Sequence, residues 1–222
     1  MKSNQSVSIV ARPGGQKPRG SGRPRSEATR KAILQAAVHL LQENSVQAIT
    51  IEAIAKEAGV SKATIYRWWD SKASVVIDAF IEDHIVHTPM RHDISPTEAI
   101  VQHWRSLAEQ YSGWAGRIVA QILAECQSSP AVHREFRERF FYGRRAVVQE
   151  SFTALHRVFP QTEWLENEYL MEMLYASVYS RLIWGYPAID RKFIAEYPIR
   201  VLRLLGIDVD ADGKVIDKTS HA

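Results

Sequence analysis

Residues 50–72, TIEAIAKEAGVSKATIYRWWDSK, constrain this chain more than any other stretch, because they encode two short helices meeting at a fixed corner. Thr50 has the side chain of a helix N-cap, and Glu52 follows in the first turn, where the helix dipole favours an acid. Ile51, Ile54, Ala55 and Ala58 recur at helical spacing, which predicts one short helix burying that face. Gly59 permits the left-handed backbone that ends it, Val60 fills the corner, and Ser61 caps a second helix. Small Ala55 lets the two helices cross closely, while Ile65 and Trp69, four residues apart, face the shared core. The pattern predicts a helix-turn-helix.

On the second helix, Lys62, Ala63, Thr64, Tyr66, Arg67 and Trp68 are left for the outside. They are donors, a methyl and flat rings with no acid among them, a surface suited to phosphates and base edges. Lys72, opening the next helix, is expected to hold a phosphate with its charge and the backbone N–H groups there. Trp68 admits two readings, stacking on a nucleic-acid backbone or a hydrophobic patch.

Residues 55–72, AKEAGVSKATIYRWWDSK, resemble the signature of the TetR family of bacterial transcriptional regulators, and the specific match runs over about residues 26–75. The resemblance implies an all-α homodimer of about nine helices per chain. An N-terminal three-helix domain with the helix-turn-helix would bind DNA. A C-terminal helical domain would dimerise and bind a small-molecule effector whose arrival releases the DNA. Carried over residue by residue, it places Lys62, Ala63, Thr64, Tyr66 and Arg67 where they approach bases or the flanking phosphates, with the cap Ser61 counted among the DNA-binding residues. Thr50, Trp68 and Lys72 fall on the backbone. Two such helices enter successive major grooves about 34–36 Å apart, so the implied partner is double-stranded DNA bearing an inverted-repeat operator. Arg67 or Lys62 against guanine is the expected direct readout. An effector that favours recognition helices set too far apart would weaken binding by linkage, with the helix over Lys72–His87 as the lever.

Charge divides along the chain in the same sense. The net charge of +3 conceals 12 of the 28 Lys/Arg but only 5 of the 25 Asp/Glu in residues 1–75, leaving the remainder mildly acidic. A polyanion contact is therefore confined to one end. With 222 residues and 45% hydrophobic content the chain can bury a sizeable core. Cys126 is its one cysteine, so no intrachain disulfide forms. No apolar run approaches the roughly 20 residues that span a bilayer, and the expected location is the cytoplasm, with no membrane partner.

The expected organisation is a basic tail over 1–25, the DNA-binding domain over 26–72, an effector and dimerisation domain over 73–206, and a polar tail over 207–222. In the first tail, Arg23 and Arg25 flank Pro24 in a slender cationic segment. It suits either a minor-groove arm or a solvated tail adding nonspecific charge. Helices are expected over 26–42, 72–87, 97–111, 114–127, 130–158, 162–184 and 190–205. At the corner after the first, Asn44 and Ser45 stand where the family often has glycine, and Asn tolerates the left-handed conformation.

Trp104, Tyr111, Trp114, Phe136, Phe140 and Phe141 mark a candidate effector cavity, although the same rings suit ordinary core packing. Leu170, Leu174, Ser177, Val178 and Arg181 on one late helix, with Ile194, Tyr197 and Val201 on the last, are expected to form a dimeric four-helix bundle. Asp83, His84, His87, His92 and Asp93 cluster in sequence, but their spacing matches no strong zinc pattern, so no metal or other cofactor is expected. No phosphate loop, nucleophile elbow or paired Cys/His spacing points to an enzyme. The competing reading is a helical interaction protein with a vestigial helix-turn-helix, against which the basic face of Lys62, Arg67 and Lys72 argues.

Overall fold

The computed structural model describes residues 26–216, so Arg23 and Arg25 lie outside the described residues. It is all-α: α1 Glu27–Glu43, α2 Ile51–Glu57, α3 Lys62–Tyr66, α4 Lys72–His87, α5 Pro96–Tyr111 and α6 Trp114–Ser128 come first. A long rod follows, α7 Pro130–Phe136, a π-helical turn Arg137–Phe141 and α8 Tyr142–Val158. A second rod joins α9 Asn167–Met171 through a π turn Glu172–Ala176 to α10 Ser177–Trp184, and α11 Arg191–Leu204 closes the set. Counting each rod as one gives nine helices among the described residues, as the family resemblance implies.

Local chemistry accounts for most boundaries. The Thr50 hydroxyl accepts from the Ala53 N–H at 3.1 Å, and Ser61 from Thr64 at 3.2 Å, so both helices of the motif carry side-chain caps. Gly59 takes φ +65° and ends α2, while Val60 packs on the core. The corner after α1 differs from expectation. Asn44 is extended at φ −121°, and its side-chain amide donates to the Leu40 carbonyl at 2.9 Å, so a side-chain bond ends the helix without a left-handed residue. Ser26 makes no side-chain cap bond. The helix expected from 162 starts only at Asn167, because the buried Thr162 hydroxyl donates to the Phe159 carbonyl at 2.7 Å and closes a turn over the end of α8.

One continuous core runs from α1 to the C-terminal segment. α4 lies at its centre, with Val75, Val76, Ile77, Asp78, Ala79 and Phe80 all buried, the mark of a helix covered on every side. α6 grips the corner after α1: Gln121 Oε1 accepts from the Val46 N–H at 2.7 Å, and Arg117 donates to the Gln42 carbonyl at 2.8 Å. The helix-turn-helix is thus tied to the helical body on two sides.

Two expectations about the C-terminal region are corrected. Residues 207–216 are not simply a polar tail but part of the folded body, since Ile207 and Val209 are buried and Val209 pairs with Val215 across a turn. Asp210 Oδ1 accepts from the Asp212 and Lys214 N–H groups at 2.8 and 2.9 Å, and Gly213 packs against α5. Along the late helices, Leu170, Leu174, Val178 and Val201 are buried within the chain, so they serve its own core and not a second copy. Ser177 is bonded to the Leu174 carbonyl, Tyr197 to the Met173 carbonyl, and Arg181 lies 3.6 Å over the Phe193 ring while donating to the Ala188 carbonyl. Ile194 is partly buried against the core. What these helices expose instead is Tyr169, Ile183, Trp184 and Leu204, together with Tyr186 in the connecting loop. The helical period was read correctly, but its buried face is turned inward.

Candidate DNA-binding surface and ligand cavity

The second helix of the motif presents the side chains expected of it. Lys62, Ala63, Tyr66 and Arg67 are exposed and Thr64 half-buried, while Ile65 and Trp69 are fully inside. Arg67 forms no ion pair among the described residues, so its guanidinium is available. Lys62 differs, because its ammonium meets Glu52 of α2 at 2.8 Å. The hydrogen bond between them holds the Glu52 carboxyl below the usual carboxylate range and raises Lys62. The ridge is therefore not free of acid at its edge. Ser61 contributes its side chain to the cap and Thr50 does likewise on α2. Trp68 is half-buried, its ring 6.1 Å from that of Trp69.

Lys72 also departs from expectation. Its ammonium donates to the carbonyls of Val46, Ile49 and Gln47 at 2.7, 3.1 and 3.4 Å. It closes the loop between α1 and α2, and the arm does not reach outward for a phosphate. The backbone start of α4, capped by Ser71, stays where the sequence placed it.

Deeper in the body, a cavity of about 260 Å³ is lined by residues of α4, α5, the first π turn, α8 and the second rod. Phe140 and Phe141 belong to its wall. The other four expected aromatics do not. Trp104 stacks on Tyr197 at 5.3 Å, Tyr111 lies against Phe80 and Tyr179, and Phe136 backs Phe140 at 5.0 Å. Trp114 lines a separate shallow surface beside Asp83 and His87. Trp104, Tyr111 and Phe136 are core, and the cavity is framed instead by polar residues that the aromatic pattern does not mark: His84, His103, Arg144, Tyr175 and Tyr179. Arginine halfway along an amphipathic helix looks solvated in sequence, and no periodicity reveals that it is turned into a cavity.

These polar groups form one chain of bonds. Arg144 donates to the Thr88 carbonyl at 2.7 Å and to His103 Nε2 at 3.0 Å. Because guanidinium only donates, His103 Nε2 accepts, its proton sits on Nδ1, and Nδ1–H donates to the Tyr175 hydroxyl at 2.8 Å. Burial, reinforced by the Arg144 charge, pushes both His103 and His84 down to about 3. His84 Nδ1 is engaged by the Gln110 side chain at 2.8 Å. Burial raises the Tyr175 phenol far above its ordinary value. Among the described residues no three His, Cys, Asp or Glu side chains gather in a metal-binding group.

The two depressed histidines make stability depend on pH. Unfolded imidazoles protonate near 6.5, so the unfolded state gains protons first as pH falls below that value, and stability is lost progressively toward pH 3. At pH 5 the loss is about 2 kcal/mol per histidine. Urea unfolding should therefore show a clearly lower midpoint at pH 5 than at pH 7, and an unchanged midpoint would mean that these imidazoles are not buried neutral.

Between cavity and DNA surface stands the π turn. Its Phe140 lies in the cavity wall, 5.1 Å from the Phe80 ring and 5.0 Å from that of His84, both on α4. The preceding Arg139 forms an ion pair with buried Asp78 of α4 and another with Glu135 at 2.7 Å. Asp78 Oδ2 also accepts from the Trp69 indole N–H at 2.7 Å and faces Arg30 of α1 at 3.6 Å. Glu135 accepts from Ser74, one turn earlier on α4, at 3.0 Å. π turns inside α-helices concentrate at functional sites.

A capped helix-turn-helix joined through α4 to a cavity-bearing helical body defines a DNA-binding transcriptional regulator. Comparison with known proteins agrees. Residues 33–79 match the model of bacterial regulatory proteins of the tetR family, and residues 95–198 that of the tetracyclin repressor-like C-terminal domain. The HTH-type transcriptional regulator YdeS of Bacillus subtilis is 35% identical over 162 residues, covering 73% of this chain and 82% of that protein. The chain belongs to the TetR family of bacterial transcriptional regulators. Its fold is similar to that of the TetR family regulator SCO0332, with a TM-score of 0.69 at 23% identity over 80% of this chain and 97% of the other. It is also similar to Bacillus subtilis FadR, determined in complex with stearoyl-CoA, with a TM-score of 0.59 at 18% identity over 81% and 99% of the two chains. No helix among the described residues is long and apolar enough to cross a membrane.

Proposed function

We propose that the protein is a non-enzymatic cytoplasmic repressor that binds an inverted-repeat operator as a homodimer and is released by a small molecule entering the cavity behind the π turn. Residues 26–72 form the reading unit and residues 73–206 the sensing and pairing unit. Lys62, Ala63, Thr64, Tyr66 and Arg67 face the major groove, with Thr50, Ser61, Trp68 and the start of α4 at Lys72 beside the flanking phosphates. Arg23 and Arg25 precede this unit and would extend it along the DNA. The observation that carries the reading is the π turn itself. It holds Phe140 against the cavity and Arg139 against Asp78, whose other partners are Trp69, in the turn between α3 and α4, and Arg30 of α1. A ligand that shifts Phe140 acts on the same short segment that fixes α4, so cavity occupancy and recognition-helix placement become linked variables.

Dimerisation is assigned to the exposed apolar side chains of the second rod and its neighbours, foremost Trp184, which is 79% exposed, with Ile183, Tyr186 and Leu204. An isologous pairing of these helices would bury them against their copies. Trp184→Glu should convert a sedimenting dimer into a monomer, leave the helical circular dichroism unchanged and lower operator affinity at least about tenfold, because each half then binds alone. A variant that stays dimeric would move the interface elsewhere, and a wild-type protein that is monomeric and still binds tightly would contradict the homodimer.

A further inference from the structure

The cavity's polar wall holds donors that lack an acceptor. Arg144 uses one terminal nitrogen for Thr88 and His103, while its Nε–H is buried without a partner. No carboxylate lies within ion-pair distance of it among the described residues. Of the two acids in the lining, Glu168 is paired with Arg145, and Glu172 is exposed, where solvent screens it. Both neighbouring imidazoles are neutral, with His103 engaged at both nitrogens. Since His103 donates to the Tyr175 oxygen, the hydrogen of that hydroxyl also remains to be given. Leu107, Phe140, Val148 and Met171 supply the apolar remainder of the wall.

A half-buried guanidinium without a counter-charge is costly, and an anion is what relieves it. A cationic ligand would meet Arg144 with no acid between them. A neutral ligand would leave the charge unbalanced, and a dianion would leave one of its own. We propose that the cavity binds an organic monocarboxylate, its head group accepting from the Arg144 guanidinium and the Tyr175 hydroxyl and its apolar body lying along Leu107, Phe140, Val148 and Met171. At about 260 Å³ the space suits a compact acid of on the order of ten non-hydrogen atoms, given about 30 Å³ per molecule of liquid water. The assignment rests on the cavity being the effector site, and it names the chemistry that site selects.

The test uses matched acid and amide probes on the full chain: 4-phenylbutyrate with 4-phenylbutyramide, and octanoate with octanamide. At pH 7.5 each acid should raise Tm and bind about tenfold or more tighter than its amide in calorimetric titration. Arg144→Gln should erase that preference with an unchanged circular dichroism spectrum, and Arg144→Lys should keep part of it. Amides that bind as tightly as acids, acids that bind Arg144→Gln undiminished, or a wild-type protein that binds neither acid would each overturn the proposal. If Arg144→Gln does not fold, the acid-to-amide ratio in the wild type decides alone. Operator affinity measured with the same probes separates the two readings. An acid that binds through Arg144 yet leaves DNA retention unaltered upholds the carboxylate site and contradicts the effector role.

Discussion

Replacing Asp78 by alanine should lower the free energy of unfolding by about 3 kcal/mol and weaken operator binding, although the residue is buried and touches no DNA. The loss has identifiable parts. The Trp69 indole N–H, 2.7 Å from Asp78 and enclosed in the core, would have no acceptor. Arg139 would keep only Glu135, and Arg30 would retain Glu82 at 2.5 Å and Glu27 at 3.2 Å. With the ion pair gone, the π turn keeps only the packing of Phe140 on Phe80 and His84 to hold it to α4, so a ligand in the cavity should move DNA affinity less than in the wild type. Asp78→Asn separates the two effects, since its amide oxygen still accepts from Trp69 while the charge that holds Arg139 is absent. It should recover most of the stability and little of the coupling. Equal ligand response in wild type and Asp78→Asn would show that the signal travels by another path. Denaturant titration paired with operator binding, with and without ligand, reads both quantities on one preparation.

Arg67→Ala is expected to reduce specific DNA affinity by about 1–3 kcal/mol per half-site, so that a dimer loses roughly twice that, and to relax base preference at one position of each half. Among the described residues the exposed guanidinium has no ion pair to break before it reaches a guanine. Lys62→Ala should cost less, because the ammonium must first leave Glu52. On the sequence alone the two cations were equal candidates, and the pair with Glu52 ranks them. Selection on randomised half-sites reads the difference directly. Arg67→Ala retaining full preference at every position, or losing less affinity than Lys62→Ala, would reverse that ranking.

The helix-turn-helix was legible because each of its determinants is local. Thr50 and Ser61 cap within three residues, Gly59 must turn left-handed where it stands, and the Ile65 and Trp69 spacing needs only the helical period. Order and extent of most later helices were legible for the same reason. What escaped was direction. Leu170, Leu174 and Val178 were correctly seen as one face, but only the tertiary arrangement shows that it meets this chain's own core and not a second copy. The cavity was likewise sought among aromatic rings, which are ordinary core material, when its character comes from Arg144, His103 and Tyr175, brought together across 41 and 72 residues of sequence. Lys72 illustrates the same limit at short range. Its charge suggested a phosphate, and the three carbonyls that capture it belong to a loop more than twenty residues earlier. The C-terminal turn around Gly213 depends on its packing against α5, which no local pattern signals.

Enrichment of randomised duplex DNA on the purified protein tests the base-reading role of α3 most directly. The recovered sequences should converge on a twofold-symmetric site, its half-site centres one helical turn of about 10 base pairs or a multiple apart, and Arg67→Ala should lose information at matching positions in both halves. Failure to enrich any sequence above the starting pool, or convergence on sites without that symmetry, would contradict the account.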